Sequence, residues 1–149
     1  MSKTPLAGMR ILVVEDVTSI RSLIVKLLGR LGCEDVIEAA DGETAWQHLK
    51  RVELDAMLLD YELESDDGVS IAWRARSAKD LSNKDVPIIL LTAHDEIRIV
   101  EAAAKAGIDA YLVKPVMPDR LGQRIRDAIK HRRNQLGLPP VSTEVSWDD

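Results

Sequence analysis

Short apolar runs that stop at a polar residue alternate along this chain with longer stretches of helical period. Residues 11–14 (Ile-Leu-Val-Val) form a four-residue apolar run, β-branched at three positions, that ends at Glu15 and Asp16. Such a run predicts a strand buried on both faces, as in a parallel sheet. Ile20, Leu23, Ile24, Leu27, Leu28 and Leu31 follow at i, i+3, i+4, i+7, i+8 and i+11, an amphipathic helix that Gly32 can end. A short strand is expected within 34–40. Asp41 can then cap a helix that turns Ala45, Trp46, Leu49 and Val52 inward. Residues 56–60 (Ala-Met-Leu-Leu-Asp) repeat the opening pattern, an apolar strand closed by a carboxylate. After an acidic loop, 69 to about 79 reads as a third helix with Ile71, Ala72 and Ala75 inward, and 87–92 as a buried strand ending at Thr92. Asp95 can cap a fourth helix that Gly107 terminates. Residues 110–113 are a last short strand before Lys114 and Pro115. A fifth helix from about 119 to 133 carries Leu121, Ile125, Ala128 and Ile129 along one stripe. Five strands alternating with five helices predict an α/β chain built on a doubly wound parallel sheet.

With 149 residues, the chain is about one domain's worth. The expected division is a lead at 1–8, one domain over 9–133 and a flexible tail at 134–149, too short for an output module. An apolar content of 46% with interspersed charges excludes a disordered chain. The net charge of −5 argues against a nucleic-acid binder, whose phosphate contacts need excess Lys and Arg. No apolar run reaches the length of a membrane span, and acids arrive before any signal-peptide core could form. The single cysteine, Cys33, cannot form an internal disulfide. A cytoplasmic protein is expected.

The informative residues stand at the carboxyl ends of the predicted strands, where open α/β sheets place their sites. Glu15 and Asp16 follow the first strand, Asp60 closes the third, Thr92 the fourth, and Lys114 follows the fifth. Three converging carboxylates repel one another, and a cation relieves them. An all-oxygen donor set suits Mg2+. With a lysine beside the metal, the crevice could stabilise a phosphoryl group.

These residues, with Gly68 eight positions after Asp60, the Thr92-Ala93 pair, Tyr111 and Lys114-Pro115, give the chain a resemblance to the response-regulator receiver domains of two-component signalling. The resemblance spans about 9–133 and brings with it the flavodoxin-like strand order 2-1-3-4-5, helices on both faces. It implies that Asp60 is the phosphoacceptor, taking a phosphoryl group from a histidine kinase or a histidine phosphotransfer protein. It implies that Asp16 and Asp60 ligate Mg2+ directly, Glu15 through water, and Glu62 through its backbone carbonyl. Lys114 and the Thr92 hydroxyl would hold phosphoryl oxygens, and the small Ala93 would leave them room. Tyr111 would be the rotamer switch, and Lys114-Pro115 a cis peptide. His94, bordering the pocket, and Glu62 are candidates for tuning phosphate lifetime. The implied role is a signalling domain rather than an enzyme. It would act through protein–protein contacts of the face formed by the fourth helix, fifth strand and fifth helix on a downstream target. A phosphorylation-dependent homodimer is left open, and no attached output domain is expected.

The sequence departs from that pattern where Leu63 and Glu64 replace the usual methionine-proline pair, in a loop where Glu62, Glu64, Asp66 and Asp67 supply four acids. Loss of the proline should loosen the loop that presents the Glu62 carbonyl. The altered loop also keeps open a receiver-like scaffold that binds partners without phosphorylation. A haloacid-dehalogenase-type phosphatase fits poorly, because Asp60 lacks a second aspartate two residues later. An FMN binder fits poorly too, because acids occupy the loop after the first strand. His48 and His131 lack partners at metal-ligand spacing and read as surface residues. The tail, with two prolines and little periodicity, ends in acids around Trp147, which are read as solvated, as a short docking peptide or as a segment that folds back onto basic surface.

Overall fold

The structure, a computed structural model, describes residues 5–64, 66–93 and 97–140. Five strands, β1 (Arg10–Val14), β2 (Asp35–Ala39), β3 (Ala56–Asp60), β4 (Ile88–Thr92) and β5 (Ala110–Val113), alternate with five helices. These are α1 (Thr18–Arg30), α2 (Gly42–Arg51), α3 (Gly68–Ser77), α4 (Ile97–Lys105) and α5 (Pro118–Gln135). All the strands are parallel, in the order β2-β1-β3-β4-β5.

The continuous apolar runs follow from a sheet covered on both sides. Successive side chains of a strand point to opposite faces, so β1 sends Leu12 and Val14 into one core and Ile11 and Val13 into the other. Leu12 and Val14 meet Met57, Leu59, Ile88 and Leu90, together with Leu49, Ile71 and Ile99 from α2, α3 and α4. Ile11 and Val13 meet Leu58, Ile89 and Leu91, with Ile24 and Leu28 of α1 and Leu121 and Ile125 of α5. A polar residue within β1, β3 or β4 would therefore be buried whichever way it faced.

Most helix ends lie where the local chemistry sets them. The Asp41 carboxylate accepts from the Thr44 N–H at 2.7 Å and opens α2. Asp67 accepts from the Ser70 N–H at 2.8 Å, so α3 begins at Gly68 and closes by Ser77, short of the expected 79. Gly32 and Gly107 take φ values of 96° and 81° and end α1 and α4, conformations that glycine adopts without the Cβ penalty. The expected cap of α4, Asp95, lies outside the described residues. Helix α5 starts at Pro118, whose fixed φ suits a first turn, and runs through Asn134 and Gln135, which the sequence reading gave to the tail.

One burial expectation changes, at Leu23, and two further contacts had no counterpart in the sequence reading. Leu23, assigned to the inner stripe of α1, is 49% exposed, since Ile24, Leu27 and Leu28 already cover the sheet beneath. Leu6 in the N-terminal lead is fully buried under α1, and its N–H donates to the Leu31 carbonyl at 3.0 Å. Trp46 is half-buried, with the Arg74 guanidinium 4.0 Å above its ring, a cation–π contact between α2 and α3. Among the described residues, no helix is long and apolar enough to cross a membrane.

Candidate functional site at the strand ends

The parallel sheet brings the ends of β1, β3, β4 and β5 to one edge, and the polar residues that stop those strands meet there. Glu15, Asp16 and Asp60 each offer a carboxylate oxygen, and the three atoms lie within 4.8 Å of one another. Glu15 is fully buried and Asp60 nearly so, while Asp16 is half-buried at the mouth. Burying carboxylates is costly unless an opposite charge meets them. Lys114 supplies it, its Nζ donating to Glu15 Oε1 at 2.9 Å and to Asp60 Oδ1 at 3.2 Å. Burial works against the ammonium. The hydrogen bond to Glu15 and the charge of Asp60 together outweigh it, and the Lys114 pKa rises above the ordinary lysine value.

Backbone connections hold these groups in place. The Glu15 N–H donates to the Ala39 carbonyl of β2, and Tyr61 N–H to the Leu91 carbonyl of β4. The Lys114 N–H donates to the Thr92 carbonyl at 2.7 Å, which joins the ends of β4 and β5. The Arg21 guanidinium, one turn into α1, donates to the Glu15 carbonyl at 2.7 Å and pairs with Glu38 at 3.0 Å. Sequence reasoning had no signal for Arg21, because its partners come from β1 and β2. Gly68 packs so tightly under the site that a Cβ would stand 2.5 Å from the Asp60 carbonyl oxygen.

The β3–α3 loop is closed by its own backbone. The Gly68 N–H donates to the Tyr61 carbonyl, Leu63 N–H to the Asp66 carbonyl, and Glu62 bridges Asp67 in antiparallel register. The Glu62 N–H also reaches back to Asp60 Oδ1 at 3.3 Å. Leu63, where methionine was the usual residue, is buried against the α2–α3 core. At position 64, where the usual proline is missing, the Glu64 N–H donates to Asp16 Oδ2 at 3.0 Å.

Among the other residues singled out from the sequence, Thr92 is buried at the end of β4 and Ala93 is exposed beside it. The Lys114–Pro115 peptide is cis. Tyr111 stands apart from the carboxylates, 39% exposed on the outer strand β5. It lines a groove of about 430 Å³ with Arg120, Arg124 and Asp127 of α5. His94 lies outside the described residues, as does Trp147.

This arrangement agrees with comparisons to known proteins. The family model of the response regulator receiver domain matches residues 11–126. A chemotaxis protein CheY homologue of Campylobacter jejuni is 34% identical over 122 residues, 81% of this chain and 92% of the relative. Chemotaxis protein CheY1 of Helicobacter pylori is 35% identical over 118 residues, 78% of this chain and 94% of its own length. The receiver domain of sensor histidine kinase PA1611 from Pseudomonas aeruginosa, solved with a magnesium ion coordinated in its active-site cleft, superposes with a TM-score of 0.73. It is 34% identical, and the match covers 83% of this chain and 98% of that one. The chain belongs to the response regulator receiver domain family.

Proposed function

We propose that this domain is a phosphorylation-dependent signalling module that accepts a phosphoryl group on Asp60. The observation that carries the reading is the Lys114 ammonium set between the buried carboxylates of Glu15 and Asp60, with Asp16 adjoining them. One ammonium leaves this trio with net negative charge, so the donor set suits a hard divalent cation. Asp16 and Asp60 would hold Mg2+ directly, Glu15 through water, and Glu62 through its carbonyl. Bound there, the ion would supply positive charge to the oxygens of an incoming phosphoryl group.

The chain's own residues carry the rest. An Asp60 carboxylate oxygen attacks the phosphorus of a phosphohistidine on a kinase or phosphotransfer partner. The new P–O bond forms as the P–N bond breaks, and the bonding pair leaves on the imidazole nitrogen. The reacting Asp60 oxygen gives up its charge to the acyl phosphate, so Lys114 can turn to a phosphoryl oxygen. The Thr92 hydroxyl binds another, and Ala93 leaves space for the group. Asp60 then carries nearly two negative charges with three strong acceptors, and the structure shifts as far as those acceptors favour one arrangement of Thr92, Lys114 and Tyr111. A downstream protein in the cytoplasm reads the change at α4, β5 and α5.

Intact mass after incubation with Mg2+ and a small acyl-phosphate donor tests this. Wild type should gain one phosphoryl group, and neither Asp60→Ala nor metal-free wild type should gain any. If wild type stays unmodified and beryllofluoride leaves the Tyr111 signal unchanged, the scaffold reading replaces this one.

A further inference from the structure

We propose that the backbone N–H of Glu64 is a positioning group of the metal site, joining by one hydrogen bond the two loops that carry metal-binding oxygens. The inference rests on the reading of the acidic trio as an Mg2+ site. Asp16 belongs to the β1–α1 loop and Glu62 to the β3–α3 loop, and the sheet alone does not fix their mutual position. The Glu64 N–H crosses from the second loop to the first and donates to Asp16 Oδ2 at 3.0 Å.

The geometry restricts both partners. Asp16 is half-buried at the mouth, and among the described residues its other oxygen accepts no hydrogen bond, which leaves that oxygen for a cation. A carboxylate with one oxygen held loses less rotational freedom when the other binds a metal, as when outer partners orient first ligands. On the loop side, Glu64 lies inside a closed turn in which Leu63 N–H meets the Asp66 carbonyl and Glu62 bridges Asp67. Fixing Glu64 therefore also fixes Glu62, two residues away, whose carbonyl is the proposed ligand. The Glu64 side chain is exposed and takes no part. The working group is the N–H, which every residue except proline retains.

That distinction supplies the test. Mg2+ binding is measured by calorimetry on wild type, Glu64→Ala and Glu64→Pro, with a urea melt of each. Glu64→Ala should bind like wild type. Glu64→Pro should bind roughly tenfold more weakly, the order of loss seen when an outer partner of a metal ligand is removed. Amide hydrogen exchange in the metal-free protein reads the bond directly. The Glu64 amide should exchange slowly in wild type and in Asp16→Asn, which keeps an acceptor, and rapidly in Asp16→Ala. Equal Mg2+ affinity in all three proteins, or a Glu64 amide as protected in Asp16→Ala as in wild type, overturns the positioning role and leaves the metal site standing. Failure of wild type to bind Mg2+ at all overturns the metal site itself, whatever the amide shows.

Discussion

Gly68 and Lys114 show how single residues set the chemistry of the strand ends. An alanine Cβ at position 68 would meet the backbone carbonyl of Asp60 at 2.5 Å and a methyl of the fully buried Leu90 at 2.9 Å, and the carbonyl, being backbone, cannot swing aside as a side-chain end can. Gly68→Ala should therefore cost about 1–3 kcal/mol in a urea melt, as overpacking does, and should also lower the yield of phosphorylated protein by displacing Asp60. Lys114 makes a pH prediction. Its pKa is raised in the folded state above the ordinary value of 10.5, so the folded form binds the proton more tightly than the unfolded chain. The stability this contributes is complete below that ordinary value and is lost as pH rises through the folded-state pKa. Stability measured across alkaline pH should fall more steeply for wild type than for Lys114→Met. Equal slopes would mean that the ammonium gains nothing from Glu15 and Asp60.

At the scale of elements, the strands are specified by their sequence and the connections are specified by distant partners. The four-residue apolar run of β1, β-branched at three positions and stopped by two acids, favours a strand buried on both sides, and all four side chains are buried. The turn between α2 and β3 depends instead on Asn83, nearly 30 residues further along the chain. Its Nδ2 donates to the Leu49 and Val52 carbonyls at 2.8 and 2.6 Å, and its Oδ1 accepts from the Leu54 N–H at 3.0 Å. Asn83 is buried, so Asn83→Ala would strand three backbone groups, each worth about 1–3 kcal/mol when left unpaired out of water. The expected loss is about 3 kcal/mol in chemical denaturation, against little change for Ser82→Ala next to it. The β3–α3 loop teaches the same lesson. Its four acids and missing proline suggested a loosened loop; the fold places there two backbone–backbone hydrogen bonds, two more from peptide N–H groups to Asp60 and Asp16, and a capping aspartate.

Across the whole molecule, the end of the sheet opposite the acidic site is held by a second charged group. Asp109, just before β5, has a fully buried carboxylate that accepts from Arg76 of α3 at 2.9 Å, Arg132 of α5 at 2.9 Å and the Ile88 N–H of β4 at 2.9 Å. His131, a surface residue as expected, completes the set with its Nδ1 lying 2.7 Å from Asp109 Oδ1. Burial first, and the neighbouring Arg132 second, pull the Arg76 pKa down to about 10, so the two guanidiniums rely on Asp109. Asp109→Ala should cost about 3–5 kcal/mol, the usual penalty for leaving buried charge uncompensated. Mg2+ affinity should stay near wild type, because the group lies at the amino ends of β4 and β5. A large drop in affinity would show that the two ends of the sheet are coupled.

The sequence by itself determined the alternation of strands and helices and the residues that stop each strand, because burial on both faces of a parallel sheet writes continuous apolar runs. Glu15, Asp16, Asp60, Thr92 and Lys114 were legible for that reason: a charge or hydroxyl after such a run can lie only at its carboxyl end. Tertiary structure alone decided which N–H, carbonyl and guanidinium groups meet across the chain. The Glu64–Asp16 bond, the Arg21 hold on Glu15, the Asn83 cap and the Asp109 group join residues 48, 6, 31 and 33 positions apart. Their geometry depends on how loops close and how helices dock, and no periodicity in the sequence records it. Leu23 turned to solvent for the same reason, since α1 needs only a narrow apolar stripe once α5 covers the rest of that face of the sheet.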